Sequence, residues 1–352
     1  MKVAIIGLAQ SGKTTVFKSL VGPGSVSKDA HEHGVQVGNV KVPDDRLDWL
    51  AKVFKPPKVV HADIDFMDVV GVHTDQKGAG LTPQVITEIR NADELVAVVR
   101  SFDNPSVVHP SGTIDPVRDI KNIEAELSVS DMIQIEKRLQ KMEREHSDGP
   151  EKEALLRAKL SLDSEKPLRL LKLNESEAVI LTGFSFLSQK TSLILLNISE
   201  SDIGKPPPSE LASFAEQNGH SLMQYCANIE LEISELDVEE QPAFLEEMGL
   251  QGSGRDRLIR KVYEMLRLVS FFTIGDTEIR AWSVPTGTSA IKAAGKVHSD
   301  MERGFIRAEV INFKEFSEIG SMQVARDTGH LRLEGKDYEV HDGDLIKFRF
   351  HV

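Results

Sequence analysis

Apolar positions fall into three successive regimes along the chain. In the first, short apolar runs alternate with amphipathic stretches. Val3-Ala4-Ile5-Ile6 and Leu95-Val96-Ala97-Val98-Val99-Arg100 read as buried strands of a parallel sheet. Ala62 to Asp68 reads as another strand, and Val35, Val37 and Val40-Lys41-Val42 as a strand edge. Val16, Phe17 and Leu20 recur at helical spacing, and Thr82 to Asp93 predicts a further helix. The second regime begins near Asp115. There Ile120, Ile123, Leu127, Met132, Ile135, Leu139 and Met142 recur three to five apart amid dense charge. Ser128 or Ser130 suits a cap at a break between two helices. After the turn Ser147-Asp148-Gly149-Pro150, Leu155, Leu156 and Leu160 form a second stripe, so 119–175 reads as an inserted helical hairpin. The sheet resumes at Thr191 to Leu196, followed by a helix (Ser209 to Asn218), a strand (Ser221 to Tyr225) and a closing helix (Asp256 to Leu268). In the third regime, from Val269, short strands (Phe271-Phe272-Thr273, Ile279 to Trp282, Arg307 to Val310, Tyr338-Glu339-Val340, Ile346 to Phe348) alternate with helices (Ala290 to Gly295, Asn312 to Ile319). The pattern predicts an α/β domain over 1–118 and 176–268, the insert, and a small α+β domain over 269–352.

Chemistry enters at the first strand end. Gly7-Leu8-Ala9-Gln10-Ser11-Gly12-Lys13-Thr14 fits G-x-x-x-x-G-K-[ST], between a strand and a helix, which is the context that gives the motif meaning. Its glycines let backbone N–H groups turn inward on phosphate oxygens, and the helix N-terminus adds about half a positive charge. Gln10, Ser11, Gly12, Lys13, Thr14 and Thr15 are the candidate phosphate contacts, with Lys13 reaching the β- and γ-phosphates. Thr14 and Asp68 are the candidate Mg²⁺ ligands, Asp68 opening a D-x-x-G (Asp68-Val69-Val70-Gly71) whose glycine N–H suits the γ-phosphate. Residue 72, where a Ras-like switch carries the water-orienting glutamine, is Val72; the adjacent His73 is a candidate in its place.

At the later strand end, Asn197-Ile198-Ser199-Glu200 stands where GTPases carry N-K-x-D. Ile198 and Glu200 remove the guanine-reading lysine and aspartate, while Asn197 retains a donor and an acceptor suited to adenine. ATP is therefore the expected nucleotide and GTP the alternative. Phe102, at the end of another strand, is either a base contact or simple packing.

The chain has 352 residues, 40% of them hydrophobic, and a net charge of -13, so any nucleic-acid contact needs a local basic patch. Arg280, Lys292, Lys296, Arg303 and Arg307 are candidates for one, or simply a solvated surface. Glu230 to Glu247 holds eight acids and no base and reads as an exposed acidic face. One cysteine, Cys226, excludes an internal disulfide framework and suits a cytoplasmic setting. No apolar run approaches membrane-spanning length. His31-Glu32-His33 reads as a solvated loop, having no third ligand near in sequence.

The whole chain resembles the YchF-type Obg-like ATPases, as a divergent member. The resemblance rests on GLAQSGKTT, VPDDRL (Val42 to Leu47), DVVG, DPVRDI (Asp115 to Ile120) and NISE. Beyond these lie GRDRLIRKVYEML, FFTIGDTEIRAW, GFIRAEVI and LEGKDYEVHDGD. It implies a Ras-like P-loop nucleotide domain, a helical coiled-coil insert and a C-terminal TGS domain of ubiquitin-like β-grasp fold. It also implies Mg²⁺-dependent ATP hydrolysis, a cytoplasmic monomer that binds ATP and ADP, association with the ribosome or its RNA, and a role in translation or stress response. Val72 matches the family's hydrophobic replacement of the catalytic glutamine, Asn197 and Glu200 its altered base motif, and Phe102 a position near adenine. The loop departs from G-x-P-N-V-G-K-S-T at Ala9, Gln10, Ser11 and Thr14. The family's first-switch threonine has no counterpart near Ala30 to Gly34, nor its second-switch histidine near Thr74 to Gly78. Two readings follow: a slow regulatory ATPase, or a nucleotide-gated binding protein with little catalysis. A small-molecule kinase is a third class, disfavoured by the D-x-x-G and N-x-x-E strand ends.

Overall fold

The computed structural model describes residues 1–23, 35–69 and 83–351. The chain opens with β1 (Lys2–Ile6), α1 (Lys13–Val21), β2 (Val35–Lys41), α2 (Asp45–Phe54), β3 (Lys58–Val60), β4 (Asp63–Val69), α3 (Pro83–Arg90) and β5 (Glu94–Ser101). Next come α4 (Pro116–Arg144), α5 (Pro150–Asp163), α6 (Glu175–Thr182), β6 (Ser192–Ile198), α7 (Ser209–Gln217), β7 (Ser221–Tyr225), α8 (Ala227–Glu235), α9 (Gln241–Glu247) and α10 (Gly254–Met265). The last stretch is β8 (Leu268–Ile274), β9 (Glu278–Pro285), α11 (Ala290–Val297), α12 (Ser299–Arg303), β10 (Phe305–Asn312), α13 (Phe313–Ile319), α14 (Met322–Asp327), β11 (Arg332–Glu334) and β12 (Asp344–Phe350).

Two compact units result, one of 1–40 and 65–258, the other of 41–64 and 259–352. The first is built on a sheet of order β2-β4-β1-β5-β6-β7, parallel from β4 through β7. β1 lies between β4 and β5, so the chain leaves it toward one side and returns on the other. The loop after β1 therefore sits at the crevice where open α/β sheets take ligands. β1, β5 and β6 are buried on both faces, which is why their sequences run apolar without alternation.

The insert differs from the expected hairpin. α4 is one continuous helix of 29 residues with no break at Ser128 or Ser130. Its apolar stripe serves two cores in turn: Ile120, Ile123 and Leu127 pack on the sheet, while Ile135, Leu139 and Met142 pack with α5. Ser130 caps nothing; its Oγ accepts from Arg90 at 3.0 Å. Leu156 and Leu160 are exposed, and the α5 stripe that packs is Ala154, Leu155, Ala158 and Leu162. α6 adds a third helix, with Leu181 in the same cluster. The insert is rooted by buried polar contacts. Asp131 accepts the N–H groups of Leu187 and Ser188 at 2.9 and 2.7 Å and pairs with Arg90. Glu124 meets both Arg169 and His220.

The second unit is a sheet of order β11-β10-β12-β8-β9-β3, with α11 on one face over Phe271, Val284, Val310 and Ile346. Residues 41–64, expected within the nucleotide domain, cluster here instead. β3 pairs in parallel with the edge of β9, and α2 places Trp49 5.4 Å from Phe313, and Phe54 5.6 Å from Phe316, centroid to centroid. The short spacing of β3 carries no strong strand pattern of its own, so its partner was not legible from sequence. Tyr338 to Val340 contributes a single bridge, Ser289 to Glu339, where a strand was expected.

Candidate functional site

The loop between β1 and α1 adopts the backbone that its glycines foretell. Gly7 and Gly12 have φ of 152° and 95°, and Gln10, without a glycine's freedom, has φ of 62°. Gly12 is fixed twice over, because a Cβ there would lie 2.2 Å from Asn197 Nδ2. Lys13 is buried and its ammonium donates to the carbonyls of Gly7 and Leu8 at 2.9 and 2.7 Å. Burial lowers its pKa to about 8, against an opposing pull from Asp68. Thr14 Oγ1 donates to Asp68 Oδ2 at 2.9 Å, bringing the loop against the end of β4.

Asp68 is 1% exposed, and its Oδ1 is buried with no hydrogen-bond partner among the described residues. Burial pushes its carboxyl up, while Thr14 and Lys13 oppose. An orphaned carboxylate oxygen beside a threonine hydroxyl fits Mg²⁺, a hard cation bound by one or two protein oxygens with phosphate and water completing the shell. Among the described residues, no group of three or more His, Cys, Asp or Glu is placed to hold a metal ion.

Beyond the loop lies a cavity of about 210 Å³ whose walls include Phe102, Asn104, Ile198, Glu200, Cys226 and Asn228. Asn197 also lines it, and there the structure departs from expectation. Its Nδ2 donates to Ser11 O at 3.0 Å and its Oδ1 accepts from Ala227 N–H at 3.1 Å. The amide spans the phosphate loop and the start of α8, so the donor–acceptor pair expected to meet adenine is engaged inside the protein. Ile198 is buried in β6, Glu200 is exposed at the rim, and Thr15 is half-buried in the first turn of α1. Burial raises the pKa of the Cys226 thiol. Arg100, behind Phe102, and Glu232, at the cavity edge, were missed; the signal for Arg100 was a charged residue ending an otherwise apolar strand. Gly71, Val72 and His73 lie outside the described residues, as do His31-Glu32-His33 and both expected switch segments.

The C-terminal candidate basic residues are partly spent on acids: Lys292 pairs with Glu302 at 2.7 Å, Arg280 with Glu278 at 3.7 Å, and Arg303 with Asp300. No helix of the described residues is long and apolar enough to cross a membrane.

Residues 268–351 match the family model YchF-GTPase_C, described as "Protein of unknown function (DUF933)". The chain is 37% identical to the ribosome-binding ATPase YchF of Bacillus subtilis (strain 168), with both chains covered in full. It is 36% identical to the protein of that name from Escherichia coli O157:H7, over all of this chain and 99% of the other. The solved structure of the Schizosaccharomyces pombe YchF GTPase superposes with a TM-score of 0.88 at 26% identity, covering 99% of this chain and 97% of that one. A GTP-binding protein from Pyrococcus horikoshii OT3 shares the fold, with a TM-score of 0.60 at 19% identity. The phosphate loop, the Thr14–Asp68 contact and the altered base motif thus sit in a chain whose full length aligns with these relatives: it belongs to the YchF family of P-loop nucleoside triphosphatases.

Proposed function

We propose that this chain is a regulatory ATPase that binds ATP in preference to GTP, hydrolyses it slowly, and associates with the ribosome in the cytoplasm to modulate translation or stress response. The observation that carries the nucleotide reading is the contact of Thr14 with Asp68, which leaves one buried carboxylate oxygen with no partner among the described residues. Mg²⁺, when bound, neutralises phosphate charge. Thr14 and Asp68 would hold it. Lys13 exchanges its two loop carbonyls for phosphate oxygens, and the loop N–H groups take the charge that develops as water attacks the γ-phosphate in line. The adenine preference rests on Ile198 and Glu200, which replace the lysine and aspartate that read guanine. Asn197 contributes by holding the phosphate loop and the start of α8 together.

Phosphate release by wild type and Lys13→Ala tests the enzyme reading; equal rates sink it. Equilibrium titration tests the preference, and tighter GTP than ATP binding overturns it. Ribosome association is supported by the names of the relatives, and co-sedimentation with and without a non-hydrolysable ATP analogue checks it, absence of pelleting in both states counting against it. A second reading, a nucleotide-gated binding protein with little turnover, is favoured by Val72 in the glutamine position. Binding without phosphate release would establish it.

A further inference from the structure

The end of β5 buries a cation that the reading above leaves without a role. Arg100 is 2% exposed. Its Nε donates to Phe102 O at 3.1 Å and its Nη1 to Val107 O at 3.0 Å. Its guanidinium carbon lies 4.6 Å from the centroid of the Phe102 ring. Every one of these partners is neutral, and no carboxylate pairs with Arg100 among the described residues.

Desolvating a cation without a counter-charge is costly, and an apolar residue would fill the space at less expense. What an apolar residue cannot do is hold two carbonyls with one rigid fork while laying a charged plane against an aromatic ring. Both carbonyls belong to the segment 102–107, and Phe102 and Asn104 are walls of the cavity. The ring also stands beside the phosphate loop, since a Cβ on Gly12 would be 4.0 Å from Phe102 Cε1.

We infer that Arg100 is a positioning residue for the nucleotide base: it fixes Phe102 and the 102–107 segment as a preformed wall on which the base stacks. Preorganisation of this kind raises affinity for the part of the ligand that touches the wall and leaves the rest unaffected. The inference rests on the cavity being the base site.

Calorimetric titration of the full chain with ATP and with inorganic tripolyphosphate, both with Mg²⁺, separates base from phosphate. Tripolyphosphate keeps the phosphate chain and lacks the base. Arg100→Met is expected to weaken ATP binding about tenfold, while tripolyphosphate binding changes by less than about twofold. Arg100→Lys keeps the charge without the fork and is expected to stay close to Arg100→Met. Equal loss of both ligands, no loss of either, or full recovery in Arg100→Lys overturns the inference. Should Arg100→Met fail to fold, as its melting profile would show, the pair Arg100→Lys and Phe102→Leu decides. Phe102→Leu is expected to reproduce the ATP-selective loss, and the double variant to bind ATP no more weakly than Phe102→Leu alone; additive losses overturn the inference. Equal affinity of the wild type for ATP and tripolyphosphate would instead overturn the base-site reading itself, a result distinguishable from a failure of Arg100.

Discussion

Lys13 is the residue at which burial and chemistry meet. With its pKa lowered to about 8 in the free loop, a phosphate chain that favours the ammonium form must raise it again on binding. Below pH 8 the lysine is already charged and binding takes up little proton. Above pH 8 each bound nucleotide takes up a proton at this site, and affinity falls, by at most about tenfold per pH unit. Titrations of ATP between pH 7 and 10 in buffers of different ionisation enthalpy check both; a flat affinity over that range refutes it. Glu94, at the opposite end of β5, is 2% exposed and accepts from Thr191 Oγ1 at 2.7 Å. Burial raises its pKa from 4.5 to about 7. Its contribution to stability is complete below pH 4.5, where folded and unfolded chains are both protonated. It is lost as pH rises toward 7, because only the unfolded chain ionises early, at a total on the order of 3 kcal/mol. Glu94→Gln keeps an acceptor for Thr191 and removes the titration. Denaturant unfolding should show the variant more stable than wild type at pH 8 and nearly equal at pH 4.5. The phosphate loop was legible in the sequence because its residue types are dictated by backbone geometry. The role of Asn197 was not, because strand-end position alone does not say whether an amide faces ligand or loop.

At the scale of elements, the acidic run 230–247 behaves differently at its first residue. Glu230 is 4% exposed, not part of a solvated face. Its Oε1 accepts the N–H of Gly254 at 2.6 Å and its Oε2 that of Arg255 at 3.0 Å, so a residue of α8 caps the first turn of α10. A Cβ at position 254 would lie 2.5 Å from Glu230 Oε1, so a larger residue there displaces the capping carboxylate. Arg255 in turn donates through Nε to Leu20 O, the end of the phosphate-loop helix α1. Glu230→Gln turns one acceptor into a donor facing a backbone N–H, a loss of about 1–3 kcal/mol measurable by chemical denaturation. An unchanged midpoint would show that water replaces the carboxylate. Local sequence hid this cap because its acceptor lies 24 residues upstream of Gly254. The same limit applies to α4: periodicity revealed its apolar stripe, but whether the stripe belongs to one helix or two depends on the cores waiting on either side.

Across the molecule, the strands of the nucleotide unit were readable as unbroken apolar runs, and the C-terminal unit as short alternating strands. Their order within each sheet was not, since strand order is set by which edges meet, not by any strand's own composition. The assignment of 41–64 depended on the same long-range pairing, of β3 with β9 and of Trp49 with Phe313. That pairing has a consequence for the order in which the protein is made. The early segment carrying α2 and β3 leaves the ribosome long before its partners, which begin only at residue 259. That stretch has nothing yet to bury against while the first unit is being made, and the second unit cannot be completed until residues 259–352 have followed. In a Trp282→Phe background, chains stalled at residue 258 should hold Trp49 in water and show its red-shifted fluorescence, with the blue shift arriving only once β8 to β12 have emerged; an early shift would mean that α2 finds shelter without them.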